Sequence, residues 1–422
     1  MQRSWILGML VVVALLAGGC GSSRRVVDVT KLGAVGDGKM LNTGAFQKAL
    51  DSCEKDGGDV VVPEGNFVIG SIVMPSNTTL RIEKGATLIG SSNADDYPVM
   101  DVRWEGRWRE GHRALIHAKN AEKIAIVGEG KIQGDMQLGD LRDPRGPCII
   151  EPIECKDVRI EGIIVNYRRM WAIHLTYCEN VIARGLTIRS TRNNGDGIDV
   201  DSCKGVKIEK CDIDTGDDAI ALKSGRGMEA VRLARPTEDV TITDCKLGSS
   251  FAGLALGTEM SGGIRKVRVS NCAFTRGANS IFIKSRTGRG GFMEDIEGKD
   301  LTVSGPKAFL RIDLTERGIQ DSEPVQGDDA YPHVANIKIT GAKVSTDTLI
   351  EAKSIAPEKP VEGLSISRIT GTCKQAITLN NVHDVELKDI QVTGFTGPFI
   401  TTNNVTGPGI ENIHSPHDTL SR

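Results

Sequence analysis

Three aspartates in two short segments have the residue types and the spacing for acid–base chemistry. Asp196 lies in the segment 193–199, NNGDGID, and Asp217 and Asp218 lie in the segment 215–220, TGDDAI. Both segments occupy the same place in successive units of a repeat, so stacking would set Asp196 against Asp218 with Asp217 alongside. Three carboxylates this close cannot all ionise freely, and one tends to keep its proton. An acid beside a base is the arrangement that cleaves glycosidic bonds.

A short valine-centred strand pattern, such as DVRI at 157–160 and GVKI at 205–208, supplies this repeat. Its starts are roughly 21 to 41 residues apart, which is typical of a solenoid. They fall at residues 157, 180, 205, 239, 266, 295, 336, 363 and 384. Glycine contributes 49 of the 422 residues and aromatic residues only 4%, which suits many tight turns around an aliphatic core. We therefore predict an all-β fold, a single right-handed parallel β-helix of about ten coils over residues 21–422.

The register of the repeat predicts which side chains stack. Asp196 faces Asp218, and then Ala252 and Asn279 in the next two coils, at about 4.8 Å per coil. The flanking strand positions pair as Ile198, Ile220, Leu254 and Ile281, and as Val200, Leu222, Leu256 and Ile283. The proposed chemistry requires Asp196 and Asp218 to project outward at matching height. A ladder of polar turns is the structural alternative, and it suits Asp199, Asp201, Asp212 and Asp214.

A column of inward positions lies five residues after the central position of each repeat. Its members are Ile163, Leu186, Cys211, Cys245, Cys272, Leu301, Ala342, Ile369 and Ile390. The three cysteines are most simply interpreted as buried thiols that pack as small hydrophobic side chains. Nine of the ten cysteines follow Cys20, an odd number for an exported chain, and disulfides between adjacent coils remain the alternative.

The N-terminal part of the repeat domain begins with a predicted helix at 43–53. One face of this helix carries Ala45, Phe46, Ala49, Leu50 and Cys53. Asn42 or Thr43 would cap its start, and the glycine pair at 57–58 would end it. An amphipathic helix here would cover the open edge and the core of the first coil. Strand-like segments follow at 59–62, 67–74, 79–82 and 86–89.

The first 20 residues have the pattern of an export signal. A basic start precedes an apolar run from Ile6 to Ala17, which is shorter than the roughly 20 residues that span a bilayer. Cys20 directly after small residues predicts a lipoprotein signal over 1–20, with Cys20 lipidated, and a plain signal peptide is the alternative. We expect an outer-membrane or cell-surface lipoprotein, or a periplasmic or secreted protein, that meets the membrane only through this anchor.

The overall charge excludes one class of partner. The 52 Lys and Arg residues nearly balance the 55 Asp and Glu residues, for a net charge of −3. No global field therefore attracts a polyanion such as nucleic acid, and an acidic substrate must be held by local Lys and Arg side chains.

Five segments carry a resemblance to a known family. They are LGAVGDG at 32–38, GATLIGS at 85–91, WAIH at 171–174, TGDDAIALKSG at 215–225 and GTEMSGG at 257–263. With the aspartate motifs, they are similar to the polygalacturonase family of glycoside hydrolases, family 28, over essentially the whole mature length. The resemblance implies a β-helix enzyme that hydrolyses pectic polysaccharide or oligosaccharide of the galacturonan type. It also implies a monomer that needs no metal or organic cofactor.

The resemblance further implies a role for each aspartate. Asp217 would be the general acid that protonates the departing oxygen. Asp196 and Asp218 would orient and deprotonate the attacking water, which gives single-displacement hydrolysis with inversion. Inverting enzymes generally hold the acid and the base about 6.5–9.5 Å apart.

The chain departs from the family pattern at two places. FAG at 251–253 stands where the family often has Gly-His-Gly, and FIK at 282–284 stands where it often has Arg-Ile-Lys. A histidine near the acid and an arginine suited to a sugar carboxylate are therefore missing. A subgroup of the family shows a similar Phe-Ala-Gly and a similar Gly-Arg-Gly-Gly. The sequence GRGG at 288–291 matches the latter, and Arg286 and Arg289 are candidates for the missing charge.

Candidate substrate-binding residues are Lys284, Lys223, Glu259, Arg289 and His174. Lys284 and Lys223 occupy neighbouring outward positions suited to acidic sugars, although solvated lysines are the alternative. Glu259 is a candidate to position a hydroxyl or a cation. His174 would line the cleft, or it would have a structural role.

Two other functions remain open from the sequence. A β-helix polysaccharide lyase would bind Ca²⁺ through its carboxylates and remove a ring proton with a strong base. A non-catalytic surface carbohydrate binder would use the same solenoid without turnover. Trp104 and Trp108 lie in a loop where their rings would stack on sugars, or would pack within the loop.

Overall fold

The computed structural model describes residues 24–135, 137–167 and 170–409. The predicted export signal and Cys20 lie outside the described residues. Within them the chain forms the predicted parallel β-helix, in which each strand pairs with the equivalent strand of the next coil. No helix in the described part is both long and apolar enough to span a membrane.

The strands are numbered β1 to β34 in chain order. They are Val26–Asp28, Asp37–Leu41, Gly58–Val62, Gly65–Ile69, Ile72–Val73, Thr78–Ile82, Ala86–Gly90, Val99–Trp104, Arg107–His112, Ile116–Lys119, Glu122–Gly128, Lys131–Gln133, Ile150–Ile153, Lys156–Glu161, Ile164–Asn166, Ile173–Thr176, Glu179–Arg184, Thr187–Arg189, Ile198–Asp201, Lys204–Glu209, Asp212–Thr215, Ile220–Lys223, Thr237–Thr243, Lys246–Ser249, Ala252–Leu256, Ile264–Ser270, Ala273–Lys284, Phe292–Ser304, Pro306–Asp313, His333–Ser345, Thr348–Lys353, Val361–Thr372, Gln375–Thr393 and Ile400–Val405. Two α-helices, α1 and α2, are Thr43–Asp51 and Gly227–Leu233. Short 3₁₀ turns are Val29–Leu32, Ala94–Asp96, Leu138–Asp140 and Gly327–Ala330.

The strands stack into three parallel sheets that surround one core. The third sheet, which runs through β10, β13, β16, β19, β22, β25, β27 and β29, positions the aspartates. Period-two alternation of side chains explains each strand: in β20, Val206 and Ile208 are buried while Lys207 is exposed. The hydrophobic interior runs continuously along the solenoid.

The predicted register of the third sheet is confirmed. Ile198 pairs with Ile220, Ile220 with Leu254, and Leu254 with Ile281. The second predicted row pairs in the same way, as Val200, Leu222, Leu256 and Ile283. Ala252 faces Asn279, as expected.

The predicted inward column lies in the core from Ile163 to Ile369, and Ile390 is only partly buried because it lies near the C-terminal end. Every cysteine of the described residues is a free thiol and is buried, so the packing interpretation is confirmed over the disulfide alternative. A second stack of thiols, Cys155, Cys178 and Cys203, was not expected. The backbone N–H of Cys178 donates to Cys203 Sγ at 3.2 Å.

These thiols give the first testable prediction. Because burial raises the pKa of Cys178 and prevents access by reagents, the nine described cysteines should not react with a thiol reagent in the folded protein. All nine should react in denaturant without a reductant. Mass spectrometry of the alkylated protein checks this, and any disulfide-linked peptide would contradict it.

The predicted N-terminal helix is α1, which ends at Asp51, two residues earlier than expected, and its Phe46, Ala49 and Leu50 join the core. Asn42 occupies the N-cap position but makes no capping hydrogen bond. Its side chain instead bonds the backbone of Val35. Residues 67–74 form two strands, β4 and β5, rather than one.

Two elements over the third sheet were not predicted. The loop that carries Trp104 and Trp108 is an antiparallel hairpin, β8–β9. The other is helix α2, between β22 and β23. The hairpin turn lies against the chain before α2: a Cβ added at Gly106 would lie 3.0 Å from the backbone of Gly225. The hairpin therefore crosses several coils on the face that carries the aspartates.

Candidate active site

Asp196 and Asp218 lie in the turns that lead into β19 and β22, two residues before the paired Ile198 and Ile220. The ladder of backbone hydrogen bonds continues through these turns, because Gly197 N–H donates to the Asp218 carbonyl at 3.0 Å. A Cβ at Gly197 would lie 2.4 Å from the Ala219 carbonyl oxygen, so only glycine allows the coils to approach this closely. The predicted matching height of the two aspartates is thereby confirmed.

Hydrogen bonds to neighbouring backbone N–H groups and hydroxyls hold Asp217 in place. Its carboxylate accepts the N–H of Asn194 at 2.7 Å and the N–H of Asp218 at 3.1 Å. Its carbonyl accepts the hydroxyls of Thr215 and Ser249, at 2.7 and 2.6 Å. Such a network fixes the direction of the carboxylate before any ligand arrives.

One oxygen from each of Asp196, Asp217 and Asp218 lies within 4.8 Å of the others. Asp217 is half-buried, whereas Asp196 and Asp218 are only 4% and 2% exposed. Asp196 is therefore covered, although the outward projection expected of it suggested an open position. Its side chain lies outside the hydrophobic interior but beneath surrounding loops, and the Tyr167 hydroxyl donates to its carbonyl.

Burial and crowding govern protonation here. Burial, followed by the negative charges of Asp199 and Asp217, raises the pKa of Asp196 well above its usual value. Burial also raises the pKa of Asp218, although Lys284 opposes this. The cluster therefore retains a proton under conditions in which isolated aspartates would be ionised.

Lys284 contacts this cluster directly, because its Nζ donates to Asp218 Oδ2 at 2.8 Å. The ammonium lies over the rings of Phe251 and Phe282, at 4.6 and 5.7 Å from their centroids. The two positions where the chain departs from the family pattern thus form an aromatic support for this lysine. Removal of Lys284 would leave Asp218 buried without its cation.

Lys223 lies between two buried carboxylates. Its Nζ is 3.3 Å from Asp199 Oδ1 and 3.4 Å from Glu259 Oε2, and it lies 4.4 Å from the centroid of Trp171. Burial raises the pKa of Glu259, but Lys223 and Arg289 lower it more, to about 2. Burial raises the pKa of Asp199 to about 7. Lys223 is therefore a buried counter-charge beside the aspartates.

Arg289 is fully buried and forms an ion pair with Asp321, at 2.5 Å between Nη1 and Oδ2. Asp321 also holds Arg107 at 3.0 Å and Arg226 at 3.1 Å. Arg289 is thus covered by the loop that carries Asp321, and the shared Asp321 carboxylate connects it to Arg107 of the hairpin. Arg286 lies nearer the surface, with its Nη1 on the carbonyl of Gly318 at 2.6 Å.

His174 lies in a buried polar row on the third sheet. Its Nδ1 is 3.0 Å from Glu151 Oε1, its Nε2 is 3.2 Å from the Thr176 hydroxyl, and its ring packs edge-on against Trp171. His117 lies on the other side of Glu151 at 3.8 Å. His174 has no exposed surface, which favours the structural alternative over a position that lines the cleft.

Two groups of described side chains have spacings that suit a metal ion: the three aspartates, and Cys148 with Glu151 and His174. In the second group the Glu151 carboxylate already bonds His174 at 3.0 Å, and it lies 3.8 Å from His117. In the first, Lys284 bonds Asp218 Oδ2 and two backbone N–H groups bond the oxygens of Asp217. Donors within the chain thus satisfy only part of this group, because Asp196 Oδ1 and Asp218 Oδ1 have no hydrogen-bond partner among the described residues.

The hairpin supplies Arg103, a residue that sequence reasoning missed, and the two tryptophans that it named. Arg103 donates to Asp201 at 2.7 Å with both side chains 1% exposed, which fastens the hairpin to β19. Trp104 packs on Trp171 at 4.3 Å between ring centroids, while Trp108 is 38% exposed. The hairpin borders a cavity of about 370 Å³, which is lined by Trp104, Glu105, Arg107, Trp108, Arg109, Glu110, Asp143 and Arg226. No sequence signal joins Arg103 to a partner 98 residues away.

Comparison with known proteins agrees with this geometry. The model of the glycosyl hydrolases family 28 matches residues 53–385. A probable polygalacturonase of Vitis vinifera is 31% identical over 82% of this chain and 74% of its own length. An exo-poly-alpha-D-galacturonosidase of Dickeya chrysanthemi is 26% identical over 63% of this chain, which spans about half (53%) of that relative. The crystal structure of a hyperthermoactive exopolygalacturonase from Thermotoga maritima superposes with a TM-score of 0.71, at 26% identity, over 91% of this chain and 92% of its own. The chain belongs to glycosyl hydrolase family 28 and is a polygalacturonase-like glycoside hydrolase.

Proposed function

We propose that this protein hydrolyses the glycosidic bonds of galacturonan, and that Asp196, Asp217 and Asp218 carry the reaction. The names of the Vitis and Dickeya relatives and of the Thermotoga structure support galacturonan as the substrate. The position of the three carboxylates on one wall of the β-helix supports the assignment of residues.

The observation that carries this proposal is a pair of unused oxygens. Asp196 Oδ1 and Asp218 Oδ1 are both buried and have no hydrogen-bond partner. Buried polar atoms are normally satisfied, and a water that bridges two such oxygens would satisfy both. That water is placed to be the nucleophile, with the two carboxylates to orient it and accept its proton.

Asp217 is the member of the cluster that a substrate meets first, because it alone is half-buried while its neighbours are covered. In this proposal it protonates the departing oxygen as the bond breaks. Attack by water from the Asp196–Asp218 side would invert the anomeric centre. One oxygen from each carboxylate lies within 4.8 Å of the others, closer than the roughly 6.5–9.5 Å usual in inverting enzymes, so inversion rests on the family resemblance. NMR of the first-formed product anomer tests it directly.

A calcium-dependent lyase fits these residues less well. Ca²⁺ takes six to eight oxygen ligands. Here Asp218 Oδ2 is bonded to the Lys284 ammonium, and both oxygens of Asp217 accept backbone N–H groups. These donors compete with a cation for three of the six carboxylate oxygens, and the remaining oxygens are too few for the coordination that Ca²⁺ prefers.

The reaction in ¹⁸O-labelled water tests the proposed function. We expect one ¹⁸O atom in each new reducing end of polygalacturonate, no unsaturated sugar in the product, and no loss of activity with a chelator. An unsaturated product end, or dependence on Ca²⁺, would establish a lyase. Binding without new reducing ends would establish a carbohydrate-binding protein.

Lys223 yields a prediction about pH. Its positive charge lowers the pKa of Asp196 and of Asp218. The Lys223→Met variant should therefore shift the acid limb of the kcat/KM profile to higher pH, because the base ionises less readily. Glu259→Gln should shift it to lower pH, since a neighbouring negative charge is removed. Lys207→Met, on an exposed face of β20, is the control.

The same profiles distinguish the alternative role of Lys223. If Lys223 bound the substrate as a surface cation, its replacement would raise KM and leave the acid limb in place. That outcome would contradict the counter-charge assignment.

A further inference from the structure

A group of cations surrounds the ring of Phe282, on the same face of the third sheet as the aspartates. Arg311 is the residue that pairs with Phe282 in the next coil. The guanidinium carbons of Arg311 and Arg317 each lie 5.6 Å from the centroid of the Phe282 ring. Lys284, which contacts Asp218, lies on the same ring at 5.7 Å. The cations are thus continuous with the proposed catalytic cluster.

The described cations around the aspartates differ in what remains free to bind a ligand. Lys284 is bonded to Asp218, Lys223 lies between two carboxylates, and Arg289 is fully buried against Asp321. Arg311 instead forms an ion pair with Glu351, with Nε 3.0 Å from Oε2. Its two terminal nitrogens make no hydrogen bond to a described residue.

Arg317 places a second guanidinium beside that of Arg311. Its Nε and Nη2 each lie 2.6 Å from Asp313 Oδ2, and its side chain is 37% exposed. Arg311 is 23% exposed. The Phe282 ring, the Glu351 carboxylate and the Asp313 carboxylate hold the two guanidiniums in place. Little side-chain conformational entropy therefore remains to be lost on binding.

We propose that Arg311, with Arg317 beside it, binds the carboxylate of a galacturonate residue away from the cleaved bond. This inference rests on the proposed function. A guanidinium with both terminal nitrogens free matches a carboxylate through two parallel hydrogen bonds. A negatively charged sugar is therefore favoured over a neutral one.

The distance of Arg311 from Asp218 along the solenoid axis determines how long a substrate must be to contact it. Arg311 on β29 lies three coils beyond Asp218, whose coil contains β22, and this is about 14 Å at 4.8 Å per coil. A substrate laid along the axis meets Arg311 only if it extends past the sugar that is cleaved. The contribution of Arg311 should therefore depend on the length of the oligomer.

The test is steady-state kinetics of the full-length protein with galacturonate oligomers of two to six units and their methyl esters. Arg311→Gln should raise KM for the longer acidic oligomers about 10- to 100-fold, as expected for loss of charge-assisted hydrogen bonds. The dimer, the neutral esters and kcat should change little. Arg317→Gln should give a smaller effect in the same direction, and Arg311→Lys should restore part of the affinity. Arg268→Gln, an exposed arginine on another sheet, is the matched control.

Each outcome decides between the proposals. An unchanged KM for the long acidic oligomers in both glutamine variants overturns the subsite. Equal loss on acids and esters also overturns it, since it shows a purely structural role. If Arg311→Gln fails to fold, as judged by its thermal unfolding, the Arg317→Gln and Arg311→Lys variants decide. If the wild-type protein cleaves neither oligomer, the proposed function itself has failed.

Discussion

The Asp217→Asn variant is expected to lower kcat on galacturonan by about 100- to 10,000-fold, the usual contribution of a general acid. Asparagine keeps the size and shape of the side chain, but its single oxygen can accept only one of the N–H groups of Asn194 and Asp218, so we expect a small loss of stability with the turn still folded. The asparagine amide is a much weaker acid than a carboxylic acid, so it cannot protonate the departing oxygen. Reducing-end assays together with a thermal unfolding curve measure the two effects separately.

The leaving group distinguishes the acid from the bases. An aryl galacturonide with a good leaving group needs little protonation, so it should recover much of the activity of Asp217→Asn but not that of Asp196→Asn or Asp218→Asn. Asp212→Asn, on the partly exposed strand β21, is the control and should be fully active. An active Asp217→Asn enzyme on polymer would contradict the assignment of the acid.

The Asp321→Ala variant is expected to lower the free energy of unfolding by about 3–5 kcal/mol, the cost of removing one partner of a buried ion pair. The Asp321 carboxylate is 0% exposed and holds Arg289, Arg107 and Arg226. Its loss leaves three guanidiniums without their shared anion, and Arg289 has no exposed surface. Denaturant unfolding measures the loss, and hydrogen exchange of 99–112 should show a loosened hairpin.

Asp328→Ala provides the comparison, because Asp328 is exposed in the same loop and should change stability by less than about 0.5 kcal/mol. Equal stability of the two variants would show that the three arginines find other partners. In that case the ion pairs around Asp321 would not hold the loops together.

Much of the fold follows from local sequence. Period-two alternation places Val206 and Ile208 inward. The repeat spacing then determines which residues stack, because a register shift of one residue would turn the inward side chains of a strand to the outer face. The pairing of Ile198 with Ile220 was predictable for this reason. The same logic predicted that Cys211, Cys245 and Cys272 are core residues.

The surroundings of the aspartates were less predictable. Register fixes the height of a side chain on the wall but not what covers it, so the burial of Asp196 depends on loops with no repeat. Lys223 and Arg289 read as available cations in the sequence, yet each is paired with a carboxylate far along the chain. Asp321 lies 32 positions after Arg289, in the loop that follows β29, where periodicity carries no information.

Antiparallel pairing in the hairpin β8–β9 was also missed. Its residues, Val99 to His112, belong to no repeat, and it is held over the sheet by Arg103 and Trp104 rather than by its own pattern. Helix α2 replaces what would be a turn between β22 and β23. Insertions of this kind interrupt a solenoid without changing its register.

A crystal structure of the Asp217→Asn variant with a galacturonate oligomer bound tests the central claim most directly. The claim predicts the glycosidic oxygen within hydrogen-bonding distance of the side chain at position 217, and a water held between Asp196 Oδ1 and Asp218 Oδ1 on the opposite side of the sugar. An oligomer that leaves these two oxygens without a bridging water, or that places its glycosidic bond away from position 217, would contradict the account.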